Sequence, residues 1–285
     1  MNITEVPLRS AEATPAGVQV LSFDALLHRA RGHRIDPSAP MRPSFHHLVA
    51  MRRGRLDCSV DFTDHQLAAG DLIWVKPGQI LQFGPQLATA EGIVVLIAPG
   101  FLDDATASAA HADRPDRTLT PVRSQPLLRL TELLADEYPN AGGLPAAIHV
   151  AILRHVLSIL LLRIGNRERP SEPGDPAFEA FRQAVEDGFP RTHRVEDYAR
   201  QLGYSVRTLT RASHLATGYG AKRVIQERVL LEAKRLLVHT ELTSTAIAAR
   251  IGMPDPTTFG KFFRRQTGET PATFRDRVRG VHNDA

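Results

Sequence analysis

The chain has 285 residues, of which 42% are hydrophobic and 23% are charged. This composition argues against intrinsic disorder, and the length is sufficient for two domains with separate cores. The single cysteine, Cys58, excludes a disulfide framework and a cysteine-rich zinc site. We find no apolar run of the roughly 18–20 residues needed to span a bilayer and no signal peptide. A cytoplasmic protein with no membrane partner is therefore expected.

The net charge of +4 is unevenly distributed along the chain. Residues 178–285 carry 18 Lys and Arg against 12 Asp and Glu, whereas the remainder carries 17 against 19. An excess of positive charge in one region is typical either of a solvated surface or of a surface that binds phosphates. The motifs in that region decide between these two interpretations.

The N-terminal half has the pattern of antiparallel β-structure. Residues 1–16 are polar and irregular, which predicts a flexible tail. From Val18 onward, short apolar stretches alternate with Gly, Pro and Asp, and residues 52–55 favour a hairpin turn between two strands. The candidate strands are Val18–Phe23, Phe45–Met51, Leu56–Phe62, Asp71–Val75, Ile80–Phe83 and Gly92–Ala98.

Two amphipathic helices follow a connecting segment, 100–124, that has no strong period. Apolar residues at helical spacing predict helices over Pro126–Tyr138 and Leu144–Ile164. The second helix is apolar over more than one face. We therefore expect homodimerisation through the helices of residues 126–164.

Residues 165–176 are polar and rich in proline, which predicts a linker between the domain of residues 17–164 and a helical domain of residues 177–279. The first part of the helical domain, 195–218, has the order short helix, glycine turn, basic helix. That order is typical of a helix-turn-helix unit. A second unit with the same order covers residues 243–268.

In the first unit, Ser205 is a favourable N-cap for the basic helix. We expect Leu209, Ala212, Leu215 and Ala216 to face the core. The opposite side then presents arginine, which pairs with guanine, and threonine, which contacts a thymine methyl or a phosphate. The candidate DNA contacts of this unit are Ser205, Arg207, Thr210 and Arg211.

In the second unit, Asp255 is a suitable N-cap and Pro256 suits the first helical position. Three phenylalanines, Phe259, Phe262 and Phe263, supply the core face of the basic helix. The candidate DNA contacts are Pro256, Thr257, Gly260, Lys261, Arg264 and Arg265.

Between the units, Ala221–His239 contains neither Gly nor Pro and predicts one continuous helix. About 18 residues at 1.5 Å per residue span roughly 27 Å, against about 34 Å for one turn of DNA. Such a helix can hold two recognition helices in adjacent major grooves.

The C-terminal domain resembles the DNA-binding domain of AraC/XylS-type transcription regulators. The order and spacing of the family are kept in residues 205–211, 217–218, 228–237, 247–248, 252–253, 259–265, 267–271 and 274–275. The resemblance places base contacts on Arg207, Thr210, Arg211, Pro256, Thr257, Gly260 and Lys261. Pro256 and Gly260 depart from the polar and small hydroxyl residues of the family. The second unit is therefore expected to contact mainly the DNA backbone, through Lys261, Arg264 and Arg265.

The same resemblance implies that residues 17–164 form a cupin-like antiparallel β-barrel that binds a small organic effector and dimerises, so the fold class is α+β. Candidate effector-binding residues are Arg42, Phe45, His47, Trp74 and Phe83. No metal site and no cofactor are expected. His46 and His47 are adjacent, so in a strand they point to opposite faces, and His65 is placed at a turn.

We therefore predict a sequence-specific DNA-binding transcription regulator that is modulated by an effector and is not an enzyme. The resemblance implies that it is an activator, as is usual in this family. Its expected partners are double-stranded DNA and RNA polymerase. Two alternatives remain open. The barrel could serve only for dimerisation in an effector-independent regulator, or the chain could be a metal-dependent cupin enzyme with a helical appendage.

Overall fold

The computed structural model describes residues 17–110, 121–165 and 175–280. The chain divides into an N-terminal and a C-terminal unit, and the division falls within the predicted linker. The predicted tail, 1–16, and residues 166–174 lie outside the described residues.

The described part of the N-terminal unit contains antiparallel strands in two sheets, which confirms the α+β fold class. The strands are β1 (Val18–Ser22), β2 (His46–Arg53), β3 (Arg55–Val60), β4 (Thr63–Ala68), β5 (Asp71–Val75), β6 (Leu81–Phe83), β7 (Glu91–Ile97) and β8 (Val122–Arg123). One sheet has the order β1-β7-β2-β5-β8 and the other the order β4-β3-β6. Among the described residues, no ladder of named strands joins the two sheets into a single closed barrel.

Successive side chains along the strands of the larger sheet point to opposite faces, and each face is covered by its own hydrophobic core. Leu48 and Trp74 are cross-strand partners and lie in a cluster with the helices that cover one face of the sheet. Val49 and Ile73 are the next pair and lie in a second cluster, which includes residues of the smaller sheet. The larger sheet is therefore buried on both faces, which explains its almost continuous apolar strands.

The helices of the N-terminal unit flank the sheets. They are α1 (Phe23–Gly32), α2 (Asp104–Ala109), α3 (Gln125–Glu137) and α4 (Ala146–Gly165), together with a 3-10 turn at Pro85–Ala88. Helix α4 packs against α3, and its buried leucines join the core on that face of the larger sheet.

Helix α4 is more apolar than the sequence analysis allowed, although its length is close to the predicted one. Its 20 residues include an 18-residue window of mean hydropathy 1.8, enough in length and composition for a membrane span, and 33% of that window is buried. It is the one such helix among the described residues. Within the unit, α4 also makes polar contacts: His149 Nε2 lies 3.0 Å from the carbonyl oxygen of Glu137, and Arg154 donates to that of Phe101.

The described part of the C-terminal unit is helical. Its helices are α5 (Pro176–Gly188), α6 (Val195–Leu202), α7 (Val206–Thr217), α8 (Ala221–His239), α9 (Ser244–Arg250), α10 (Pro256–Thr267) and α11 (Pro271–Gly280). The predicted connecting helix is thus α8, with the predicted bounds.

Two local predictions in the N-terminal unit are wrong. The turn at residues 52–55 is not a hairpin, because β2 pairs with β5 and β7 whereas β3 pairs with β4 and β6. His65 lies in β4 opposite Cys58 rather than at a turn. The sequence analysis also missed β4, since its polar residues Thr63–Gln66 hide a strand that is exposed on one face.

Candidate nucleic-acid interface and ligand pocket

The first helix-turn-helix unit consists of α6, a turn and α7. Gly203 follows α6 in the left-handed region, with φ of 72°, which favours glycine. Ser205 caps α7, and its hydroxyl accepts from the backbone N–H of Thr208 at 3.0 Å. Gly218 ends the helix, also in the left-handed region. Local sequence therefore sets both ends of this recognition helix.

One face of α7 is buried and the other carries the candidate DNA contacts. Leu209 and Ala212 are fully buried, as predicted. Two further positions expected to be inward are not: Leu215 is 76% exposed and Ala216 is also exposed. At 100° per residue, Leu215 lies about 120° around the helix from Leu209, outside its face. Ala216 lies within about 20° of Leu209 but is exposed in the last turn of the helix. The exposed candidates are Ser205, Arg207, Thr210 and Arg211.

The second unit repeats this arrangement with α9 and α10. Gly252 follows α9 with φ of 75°, and a Cβ at this position would lie 2.3 Å from the carbonyl oxygen of Pro190. Asp255 caps α10 by accepting from the backbone N–H of Thr258 at 2.8 Å. Hydrogen bonds from the backbone and the hydroxyl of Thr258 lower the pKa of Asp255, so this end of the helix stays negatively charged.

The apolar face of α10 is held by aromatic packing. Phe259 and Phe263 meet edge to face with ring centroids 5.8 Å apart, and Phe263 meets Phe274 of α11 at 5.3 Å. Gly260 is half-buried, with open space where a side chain would begin. The remaining candidates, all exposed, are Pro256, Thr257, Lys261, Arg264 and Arg265.

Helix α8 joins the two units as one uninterrupted element of 19 residues, about 28 Å long at 1.5 Å per residue. Ile225 and Val229 on its inner face are buried. Arg228 donates to both carboxylate oxygens of Glu186 on α5, and its guanidinium lies 4.1 Å from the ring centroid of Phe189. Buried apolar and ionic contacts therefore hold the connecting helix in place.

The sequence analysis missed a pocket between α8 and α10. Its lining includes Lys222 and Gln226 of α8 together with Lys261 and Arg265 of α10. The signal was the spacing of Lys222 and Gln226, four residues apart on one face of the connecting helix.

A separate pocket lies in the N-terminal unit. Three candidate effector residues, Phe45, His47 and Phe83, line it. The rings of Phe45 and His47 stack with centroids 4.8 Å apart. Arg29 and His33 of α1 also line the pocket; the sequence analysis missed them because it did not predict α1.

The other two candidate effector residues lie elsewhere. Trp74 is fully buried in the core beneath α3 and α4, and therefore on the opposite face of the sheet from His47. Arg42 donates through Nε to the carbonyl oxygen of Gly78 at 2.8 Å. The structure does not bring these two side chains to the pocket of Phe45.

The adjacent histidines of β2 point to opposite faces, as expected. His46 lies beside Trp74, with centroids 5.6 Å apart, whereas His47 faces the pocket. Burial lowers the pKa of each to about 4, assisted at His46 by the charge of Lys76. Both are therefore neutral at pH 7. Among the described residues, no group of three or more His, Cys, Asp or Glu is arranged to hold a metal ion.

An antiparallel β domain with a pocket, joined to tandem helix-turn-helix units, defines a DNA-binding regulator with a ligand-binding domain. Residues 21–156 match the family of AraC-like ligand binding domains, and residues 198–277 match a helix-turn-helix domain family. Together the two matches cover most of the chain, with the ligand-binding domain first and the helix-turn-helix domain second. The chain belongs to the AraC family of transcription regulators.

Curated relatives agree with this assignment. The chain is 29% identical over 151 residues to the HTH-type transcriptional activator RhaS of Escherichia coli O139:H28, covering 52% of this chain and 54% of the relative. It is 31% identical over 131 residues to RhaS of Salmonella arizonae, covering 46% and 47%. The chain thus spans about half the length of the curated relatives it matches. These relatives are transcription regulators.

Among solved structures, ToxT from Vibrio cholerae O395 covers 84% of this chain and 91% of its own, with a TM-score of 0.45 and 12% identity. The DNA-binding domain of the transcriptional factor AdpA, solved in complex with a target DNA, covers 39% of this chain and 99% of its own. Its TM-score is 0.35 and its identity 29%.

Proposed function

We propose that the chain recognises specific duplex DNA by placing α7 and α10 in successive major grooves, with α8 as the spacer. The observation that carries this proposal is the pair of capped helices, each with an apolar buried face and a polar exposed face, on either end of one buried helix. The length of α8, about 28 Å, is of the same order as the spacing of about 34 Å between successive major grooves on one face of DNA.

The two units contribute different kinds of contact. In α7, Arg207 and Arg211 lie four residues apart on one exposed face and read guanine, while Thr210 contacts a thymine methyl or a phosphate. In α10, Pro256 and Gly260 offer no side-chain hydrogen bond. Readout by this unit therefore rests on Thr257 and Lys261, and Arg264 and Arg265 bind backbone phosphates.

The pocket beside His47 is the proposed effector site. Most of its wall is apolar, and its polar groups are Arg29, His33 and His47. This combination fits a small, mainly apolar organic molecule with one acidic or hydrogen-bonding group. Binding changes the affinity for DNA only if the effector favours one arrangement of the protein over another.

As an activator in the cytoplasm, the DNA-bound protein would then contact RNA polymerase.

The proposed homodimer forms through α3 and α4. Four large apolar side chains on or beside these helices are exposed by 41–50%: Leu133, Leu144, Ile148 and Ile159. Burying this face against a second copy would remove the apolar surface from water and pair two DNA-binding units.

Selection of duplexes from a random library by the full-length chain tests the proposal. The expected product is a site with two informative segments whose centres lie about 10 base pairs apart. A chain with alanine at both Arg207 and Arg211 should lose the first segment and keep the second. Selection without sequence preference would overturn the proposal. Titration of candidate acids against the selected duplex then separates an effector-dependent regulator from one whose N-terminal unit only dimerises.

A further inference from the structure

An open pocket of about 330 Å³ lies between the connecting helix and the second recognition helix. Three cationic side chains line it: Lys222 in the first turn of α8, and Lys261 and Arg265 of α10. Its floor includes the buried side chains of Ile225 and Phe262. The cations thus surround a concave surface on two different helices rather than follow one solvated helix face.

Within the described part of the chain, no ion pair joins any of these three cations to an acidic side chain. Glu227 accepts from Arg223 at 2.9 Å. Asp255 accepts from Thr258, and the charge of Lys261 also contributes to its lowered pKa. The three cations outnumber this carboxylate, so the lining of the pocket carries a net positive charge that favours the entry of an anion.

Hydrogen bonds fix the two walls relative to each other. Gln266 of α10 accepts from Arg223 of α8 at 3.0 Å and donates to Oε1 of Gln226 at 3.5 Å. Because Gln226 uses its oxygen here, its amide nitrogen remains to donate to an anion. His193, which precedes α6, also lines the pocket, and its ring nitrogen lies 2.8 Å from the carbonyl oxygen of Ile251. The pocket is therefore formed before any ligand arrives.

We propose that this pocket binds one phosphate of the DNA backbone, at the point where the strand passes between the two major grooves. Helix α8 begins soon after α7 ends, so Lys222 lies next to the first recognition helix in sequence, whereas Lys261 belongs to the second. A duplex that engages both recognition helices must carry a backbone between them. The connecting helix is then a DNA-binding element as well as a spacer.

This inference rests on the proposed function and adds residues to it, namely Lys222 and Gln226. A phosphate group could also come from a free phosphorylated metabolite, and the same pocket chemistry would hold it. Lys261 lies on the face that the proposed function directs toward bases, which favours the DNA backbone as the source. The experiments separate the two sources.

The first experiment measures the affinity of full-length Lys222→Gln for the selected duplex between about 50 and 200 mM salt. Loss of one phosphate contact should lower the slope of log affinity against log salt by about one unit. The affinity of both proteins falls as salt rises from about 50 to 200 mM, and the factor by which it falls should be about three to four times smaller for the variant than for the parent. Base preference should not change. Arg53→Gln, which removes an exposed cation from the N-terminal unit, is the matched control.

The second experiment uses duplexes with a single neutral methylphosphonate at each position between the two informative segments. One such position should weaken binding of the parent chain by about tenfold, and the same position should cost Lys222→Gln little or nothing. Non-additivity of this kind identifies the two groups as partners. Arg265→Gln, an exposed position on the other wall, repeats the test if Lys222→Gln alters folding.

Specific binding with an unchanged salt slope and additive methylphosphonate effects would overturn this inference while leaving the proposed function intact. Failure to select any duplex sequence would instead count against the proposed function. Inorganic phosphate titrated calorimetrically into the DNA-free chain tests the other source. Saturation below millimolar concentration that is lost in Lys222→Gln, with an unchanged salt slope, would assign the pocket to a free phosphorylated molecule.

Discussion

Arg228 of the connecting helix donates two hydrogen bonds to Glu186 on α5, and both side chains are at least 85% buried. Glu232, one turn along α8, lies 3.3 Å from the same guanidinium. Burial opposes the charged form of Arg228, but hydrogen bonds and the charges of Glu186 and Glu232 raise its pKa. Fork-like pairing of this kind fixes direction as well as distance, so α8 has one orientation against α5.

Removing Glu186 should therefore destabilise the C-terminal unit. We expect Glu186→Ala to cost about 3 kcal/mol, because it leaves a buried guanidinium with an incomplete set of partners. Unfolding followed by circular dichroism at 222 nm measures the loss. Trp74 is the sole tryptophan of the chain and is buried in the N-terminal unit, so its fluorescence transition should not move.

Glu179→Ala is the control for this prediction. Glu179 pairs with Arg182 at 3.0 Å within α5, and about half of its side chain is exposed. Such a pair contributes roughly 0–1 kcal/mol. Equal losses in the two variants would show that the Arg228 pair does not hold α8.

Arg211 and Arg264 should give different patterns of DNA-binding loss. Arg211→Ala should cost about 1–3 kcal/mol on the selected site and relax the base preference at one position. Arg264→Ala should weaken binding to all duplexes alike, since a phosphate contact carries no base information. Anisotropy titrations against the selected duplex and its single-base variants measure both. A uniform loss for Arg211→Ala would reassign it to the backbone.

Most of the C-terminal unit could be predicted from sequence because its signals are local. Caps such as Ser205 and Asp255, glycines after each short helix and the phenylalanine pattern of α10 act within one or two turns. The prediction for Leu215 was wrong because periodicity alone does not show where a buried face ends. The spacing of Lys222 and Gln226 places one wall of the pocket on α8, but no local pattern shows that Lys261 of α10 lies across from it.

The N-terminal unit was predicted less completely, since strand pairing is non-local. Strand positions followed from apolar alternation, but the partner of β3 did not, because a short glycine turn can join strands of different sheets. Trp74 and His47 were both assigned to the effector pocket. His47 pairs with Val75, and Trp74 pairs with Leu48, the next residue of β2. His47 and Trp74 therefore point to opposite faces of the sheet.

The glycines of the second unit should respond in opposite ways to alanine. Gly260 lies inside α10 with open space where a methyl group would be added, so Gly260→Ala should stabilise the unit by up to about 1 kcal/mol. Gly252 has positive φ and a backbone oxygen 2.3 Å from the Cβ position. Gly252→Ala should destabilise the unit by about 2–4 kcal/mol. Thermal unfolding by circular dichroism compares them, and a loss of stability in Gly260→Ala would contradict its placement.

An acidic substitution on α4 should disrupt the proposed dimer. Ile148 is 50% exposed on α4, and a twofold interface would contain two copies of it. If each copy contributes at least about 1.5 kcal/mol, Ile148→Glu should raise the dimer Kd by about a hundredfold or more. Sedimentation velocity over a concentration series measures this change.

Leu215→Glu is the matched control for the dimer test, because Leu215 is an exposed apolar residue of the C-terminal unit. It should leave the sedimentation of the chain unchanged. A dimer that survives Ile148→Glu and dissociates with Leu215→Glu would place the interface on the DNA-binding unit instead.

Acidification should destabilise the N-terminal unit through His46 and His47. Burial lowers the pKa of each from 6.5 to about 4, so between these values the unfolded chain binds more protons than the folded unit. Stability is therefore complete above about pH 6.5 and declines toward pH 4, by up to about 1.4 kcal/mol per pH unit for each histidine. Denaturant titrations followed by Trp74 fluorescence at several pH values report this slope.

Replacing one buried histidine tests the origin of the slope. His47→Gln should reduce the pH dependence between about 4 and 6.5 by about one proton, whatever it does to stability at pH 7. A slope that persists in His47→Gln would mean that this ring is protonated in the folded unit. The pocket beside it would then present a cation, rather than a neutral imidazole, to an effector.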